Sequence, residues 1–157
     1  VGNSTTATSI TIDPLNNMWV GTKNEGLWKY DGVNWTNIQY PNIASNNVTD
    51  IEFDHNGDIW VATGTDLSSY IYGGINKYSS GNWSLITTGQ YSSCRHISKD
   101  KLGMVWIAGN NDYVNLETSV KYSVYVPNTF ACFYVDQQNN LWTGTWSGLY
   151  KLNQPQR

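Results

Sequence analysis

The sequence predicts an all-β fold built from four repeats of about four short antiparallel strands. Three observations carry that prediction. Aromatics make up 14% of the 157 residues and charged types only 13%. β-Branched, aromatic and turn-forming residues crowd out the helix formers. The motif apolar-x-x-Asp-x-x-(Gly/Asn)-x-apolar-Trp then occurs four times, always with Trp six residues after Asp. Finally, Gly or Asn stands three residues after each Asp, where a tight hairpin turn needs a positive φ.

The elements follow in chain order. The first repeat opens with Ile10-Thr-Ile-Asp13-Pro-Leu-Asn-Asn-Met-Trp19-Val-Gly-Thr22, continues to Gly26-Leu-Trp-Lys29-Tyr30, and ends on Asn34-Trp35-Thr36. The second reads Ile51-Glu-Phe-Asp54-His-Asn-Gly-Asp-Ile-Trp60-Val-Ala-Thr63, then Gly74-Ile-Asn-Lys77-Tyr78 and Asn82-Trp83-Ser84. The third has Ile97-Ser-Lys-Asp100-Lys-Leu-Gly-Met-Val-Trp106-Ile-Ala-Gly109, with Val120-Lys121-Tyr122 as its Lys-Tyr strand. The fourth has Phe133-Tyr-Val-Asp136-Gln-Gln-Asn-Asn-Leu-Trp142-Thr-Gly-Thr145 and Gly148-Leu-Tyr-Lys151-Leu152. The Asp positions lie 41, 46 and 36 residues apart. Four short strands at that period describe a propeller blade. The chain is read as one domain, 1–157, with repeats at about 7–47, 48–91, 92–128 and 129–157, the last incomplete. Trp19, Trp60, Trp106 and Trp142 are its structural core, because equivalent sites must fill equivalent wedges between blades.

These motifs resemble the two-component regulator propeller repeat, over residues ~7–152. The match is good in repeats one, two and four. In repeat three Gly109 replaces Thr, Thr118 takes the Gly place and no Trp follows Tyr122. The resemblance implies a propeller of seven or eight blades. It also implies a periplasmic sensor part of a hybrid histidine kinase, or a surface or secreted protein of Bacteroidetes-like bacteria. Streptogramin-lyase-like propellers share a related turn. The sialidase Asp-box does not fit, since its Trp comes five residues after Asp. Four repeats leave three arrangements open: a four-bladed ring, a half that pairs with a second copy into about eight blades, or a fragment of a larger ring. An open half would expose apolar blade faces, a pairing liability.

Charge and hydropathy exclude several functions. The formal net charge is −3, without the basic footprint of a nucleic-acid binder. No run of ~18 apolar residues is long enough to span a membrane. Val1-Gly-Asn-Ser-Thr-Thr6 has neither a basic nor an apolar leader segment, so no signal peptide is read in this chain. An extracellular or periplasmic location then means that a leader was cleaved or that the chain is an excised piece.

Propeller loops gather at one end, over the channel, and ligands usually meet that end. Repeats two and three are read with long loops there, Gly64–Gly73 and Asn110–Glu117. The candidate ligand-binding residues are Asp66, Tyr70, Tyr72, Asp112, Tyr113 and Glu117 on these loops, with Tyr91, Arg95 and His96 between blades. Flat rings stack on sugars or peptides, and amides and carboxylates bond their polar groups. Trp146 breaks the repeat, as either a ligand platform or a cap on a blade seam. Asp54-His-Asn-Gly-Asp58 resembles a Ca²⁺ loop but lacks its further oxygens and bidentate Glu, so it is read as turn capping. Cys94 and Cys132 fall on neighbouring inner strands, either paired or as two small buried apolar residues.

The expected function is a non-catalytic β-propeller module, extracellular or periplasmic, that binds a small molecule, glycan or peptide. No cofactor or metal is implied, and a homo-oligomer by half-ring pairing is one outcome. A lectin-like or structural surface protein is the alternative. A propeller lyase or glycosidase is the third reading, supported only by Asp50, Arg95 and His96 near one another on inner strands.

Overall fold

The computed structural model describes residues 5–64, 73–88, 96–108, 112–123 and 130–152. All regular elements among them are β-strands. β1 (Ala7–Ile12), β2 (Met18–Thr22), β3 (Leu27–Tyr30) and β4 (Trp35–Ile38) form the first antiparallel sheet, in chain order. β5 (Val48–Phe53), β6 (Ile59–Thr63), β7 (Gly74–Ser79) and β8 (Asn82–Thr88) form the second. The third contains β9 (Ile97–Lys99), β10 (Val105–Ala108), β11 (Asp112–Asn115) and β12 (Lys121–Ser123). The fourth shows β13 (Phe130–Val135), β14 (Leu141–Thr145) and β15 (Gly148–Leu152). Each strand pairs only with its chain neighbours, which is the meander of a propeller blade. No helix among the described residues is long and apolar enough to cross a membrane.

One clasp builds all four first hairpins. Asp13 donates its backbone N–H to the Asn17 carbonyl, and Asn16 donates back to the Asp13 carbonyl, both at 2.9 Å. The residue closing that turn has positive φ in every blade: 66° at Asn16, 80° at Gly57, 76° at Gly103 and 61° at Asn139. Only Gly and Asn adopt this region cheaply. One oxygen of the Asp carboxylate accepts two turn N–H groups, Leu15 and Asn17 in the first blade. The other oxygen accepts the indole N–H of the Trp, at 3.0, 2.9, 3.0 and 2.8 Å in the four blades. The six-residue spacing is thus the reach of a carboxylate across its own turn to a ring on the returning strand. A Lys paired across the ladder then lies over the ring of Trp19, Trp60 and Trp142, at 5.2, 4.6 and 5.5 Å.

The inner strands stand side by side, β1 on β5, β5 on β9 and β9 on β13. The core lies between blades. Trp19 and Leu27 pack on Ile51, Phe53, Ile59 and Val61 of the next blade. Trp60 and Ile75 pack on Ile97, Val105 and Ile107. Trp106 and Tyr113 pack on Phe133, Val135 and Leu141. The approach is close enough to need glycine: a Cβ at Gly21 would lie 2.6 Å from the Val48 side chain of the following blade. Among the described residues the packing runs in one direction and stops at both ends. Ile10 and Ile12 of blade 1 are 66% and 60% exposed, so the four blades do not close into a ring of their own.

Blade 3 corrects one element. Its third strand is Asp112–Asn115, and Lys121–Ser123 is its fourth. The Lys-Tyr pair at 121 and 122 imitates the third-strand signature of the other blades. The register decides otherwise: Trp106 pairs with Asn115, where Trp19, Trp60 and Trp142 pair with Lys29, Lys77 and Lys151.

Candidate functional site

At the loop end, Asp66, Tyr70, Tyr72, Tyr91 and Arg95 lie outside the described residues, as does Cys94. His96 precedes β9, and its Nδ1 is 3.6 Å from Asp50 Oδ2 on β5. The same oxygen accepts the Ile97 N–H at 2.9 Å. Asp50 therefore ties two neighbouring inner strands together, and His96 leans against that tie. Trp146 is 81% exposed in the β14–β15 turn, so it covers no seam among the described residues. Cys132 is exposed rather than a small core residue.

The remaining sequence candidates do not belong to a loop over the channel. Asp112 begins β11. Tyr113 is 1% exposed and stands between Trp106 and Phe133, with ring centroids 5.9 and 6.4 Å away. It occupies the place that Leu27 and Ile75 hold in their blades, so it is core. Glu117 sits in the β11–β12 turn at the opposite end. There it accepts the Val105 N–H at 3.1 Å, with His55 Nδ1 3.6 Å from its second oxygen. Of the long loop read in repeat three, residues 112–115 form the third strand and 116–117 enter this turn.

A cavity lined by described residues is at that opposite end, beside the Asp turns. Its volume is about 430 Å³, and it is lined by Glu52, Ser98, Lys99, Asp100, Lys101, Tyr134, Val135, Asp136 and Gln137. Its walls are the ends of β5, β9 and β13. Lys99 Nζ pairs with Glu52 Oε1 at 3.0 Å and reaches the Phe53 carbonyl at 3.4 Å, which bridges blades 2 and 3. Ser98 Oγ accepts the buried Val135 N–H at 3.0 Å and bridges blades 3 and 4. Tyr134 projects from β13 at 60% exposure. Lys101 donates its backbone N–H to Asn139 Oδ1 at 3.2 Å.

The cavity is polar and carries both charges. Asp136 stays ionised: burial works against its charge, but hydrogen bonds from the Trp142 indole, Asn140 and the turn N–H groups win and bring its pKa down to about 2. A carboxylate pinned in this way is a poor proton shuttle near neutral pH, and with both oxygens engaged by Gln138, Asn140 and Trp142 it contributes fixed negative charge to the cavity wall. With the Lys99 ammonium and the Tyr134 hydroxyl it suits a ligand bearing hydroxyls, amides or both charges. No group of three or more His, Cys, Asp or Glu side chains among the described residues could hold a metal ion.

The sequence candidates lie mainly toward the loop end, whereas this cavity lies at the end of the Asp turns. A signal was available. Lys99 occupies the position just before the Asp, which is Ile12, Phe53 and Val135 in the other blades. A charge at an otherwise apolar repeat position marks a departure from packing.

Residues 42–65, the approach to β5 through β6 and just beyond, match the family model of the two component regulator propeller. Over this segment the chain is similar to the two-component regulator propeller repeat. No curated protein matches the chain by sequence. Solved structures match over nearly its whole length. The extracellular domain of BT4673 from B. thetaiotaomicron is 18% identical with a TM-score of 0.75, over 98% of this chain and 21% of that one. XC5397 from Xanthomonas campestris, a gluconolactonase, is 10% identical with a TM-score of 0.72, over 94% and 58%. Virginiamycin B lyase from Staphylococcus aureus is 15% identical with a TM-score of 0.67, over 95% and 56%. The likeness is one of fold: consecutive propeller blades. The chain spans about a fifth of the BT4673 domain.

Proposed function

We propose that this chain is the recognition part of an extracellular or periplasmic propeller sensor, which binds a small polar ligand without transforming it. The cavity between β5, β9 and β13 carries the proposal, through the Glu52–Lys99 pair and Tyr134. Two observations support the sensor setting: the similarity to the two-component regulator propeller repeat at 42–65, and a shared fold with an extracellular domain of a one- or two-component system. Ligand contact with three blades at once would shift their packing, which is how binding without chemistry is transmitted.

The test is an amide NMR titration of the chain with two probes, glycylglycine for peptide and zwitterion chemistry and N-acetylglucosamine for sugar chemistry. Saturable shifts at Ser98, Lys99 and Tyr134 with one probe, abolished by Lys99→Ala, are expected. Shifts confined to the loop end, around His96 and Trp146, would overturn the assignment of the cavity. So would the absence of saturable shifts with both probes.

A further inference from the structure

Three blade junctions repeat one design, and among the described residues the leading face of blade 1 and the trailing face of blade 4 stand exposed. In each junction a trailing face meets a leading face. The trailing face contributes the clasped Trp and the third-strand residue Leu27, Ile75 or Tyr113, all 3% exposed or less. The leading face contributes Ile51 and Phe53 in blade 2, Ile97 in blade 3, and Phe133 and Val135 in blade 4, all 7% exposed or less. The corresponding leading residues of blade 1, Ile10 and Ile12, are 66% and 60% exposed. The corresponding trailing residue of blade 4, Leu149, is 69% exposed, and Trp142 is only half-buried.

The turns set a register for the missing contact. At the second and third junctions the residue after one Asp donates its N–H to the positive-φ residue of the next turn; at the first that residue is Pro14, which has no N–H. His55 donates to the Gly103 carbonyl at 3.1 Å, and Lys101 donates to Asn139 Oδ1 at 3.2 Å. Gln137 is the donor position of blade 4. Asn16 of blade 1 is the counterpart of Asn139, with φ of 66° against 61°. The open trailing face therefore fits the open leading face in the register already used between blades 3 and 4.

We propose that two copies of this chain join head to tail through these faces and close an eight-bladed ring, with Gln137 of each against Asn16 of the other. Each copy offers one face of each kind, so two identical junctions satisfy both. Eight blades lie within the range of closed propellers, and three copies would exceed it.

Light scattering on size-separated chain over a concentration series tests this. A species of twice 17.7 kDa is expected. Ile12→Glu and Leu149→Glu should each weaken it at least tenfold, with the far-ultraviolet circular dichroism unchanged, while Val33→Glu on the exposed outer turn leaves it intact. A cysteine pair needs no disruption of the core: Asn16→Cys with Gln137→Cys, in a Cys94→Ser and Cys132→Ser background, should oxidise to a covalent dimer. A monomer at all concentrations would overturn the proposal and assign the faces to blades of a longer polypeptide. A dimer indifferent to Ile12→Glu and Leu149→Glu would overturn it, as would open polymers sensitive to both.

Discussion

Replacing Asp54 by Ala removes the clasp carboxylate that also carries an ion pair, to Lys77. The Asp54 side chain is fully buried. It accepts the Asn56 and Asp58 N–H groups at 2.9 and 3.0 Å and the Trp60 indole at 2.9 Å, and it pairs with Lys77 at 3.1 Å. Truncation does not strand all four partners equally. The Asn56 N–H is in an exposed turn and can turn to water. Lys77 keeps Asp58 at 2.9 Å and the Trp60 ring at 4.6 Å. The Trp60 indole, in a side chain 2% exposed, has no replacement acceptor. An orphaned buried donor costs about 1–3 kcal/mol, and the lost turn and ion-pair bonds bring the total to about 3–5 kcal/mol. That is a large share of the 5–15 kcal/mol that typically holds a domain together. Asp13 makes the same turn bonds and also holds a buried indole, that of Trp19, but it is only half-buried and has no ion pair among the described contacts, so Asp13→Ala should cost less, about 2–3 kcal/mol. Urea unfolding followed by circular dichroism measures both under one condition. A loss below about 1 kcal/mol for Asp54→Ala, or an Asp13→Ala loss as large as that of Asp54→Ala, would refute the reasoning.

Three further outcomes follow from the same structure. Tyr113→Ala should cost about 3–5 kcal/mol of stability by urea unfolding, since it empties a ring-sized space between blades 3 and 4; a neutral change would return Tyr113 to the surface. Gly103→Ala should cost about 1–3 kcal/mol, because φ is 76° there and a Cβ would stand 2.7 Å from the Cβ of His55. An unchanged melting temperature would mean the two turns are not in contact. Acid should unfold the chain through its clasps. Asp13, Asp54 and Asp136 are all held below the usual 3.8, their hydrogen bonds outweighing burial. Their folded pKa values are depressed, so their contribution is present above about pH 4 and lost as pH falls through the folded values, toward about 2 for Asp136. The stability gap between the native chain and Asp136→Asn should therefore close between about pH 4 and pH 2, and a constant gap in thermal melts would contradict this.

Much of the fold was legible because hairpin chemistry is local. An Asp, a Gly or Asn three residues on and a Trp three beyond that leave few alternatives, and all four first hairpins stand where this spacing puts them. What spacing does not show is why the Trp recurs. Packing alone accounts for its burial, but the indole N–H bond to its own turn's Asp accounts for the fixed interval. Blade 3 misled because Lys121-Tyr122 copies a signature whose physical content is a cation over a Trp ring; at the true site Asn115 faces Trp106 and no cation is needed to recognise the strand. Tyr113 misled for the same reason, as a polar aromatic in what read as a loop. The cavity was hidden because its residues come from three repeats far apart in sequence. Only the charge of Lys99 at an otherwise apolar position betrayed it.

The clasp between a turn carboxylate and an indole N–H is the feature from which blades, register and open end faces all follow. Its direct measurement is the indole region of a ¹H–¹⁵N NMR spectrum across a pH titration, with signals assigned by substitution. The indole N–H groups of Trp19, Trp60, Trp106 and Trp142 should lie downfield, exchange more slowly than that of exposed Trp146, and each move when its own Asp is changed to Asn. Exchange as fast as that of Trp146, with no response to the Asp six residues earlier, would contradict the clasp and the blade architecture built on it.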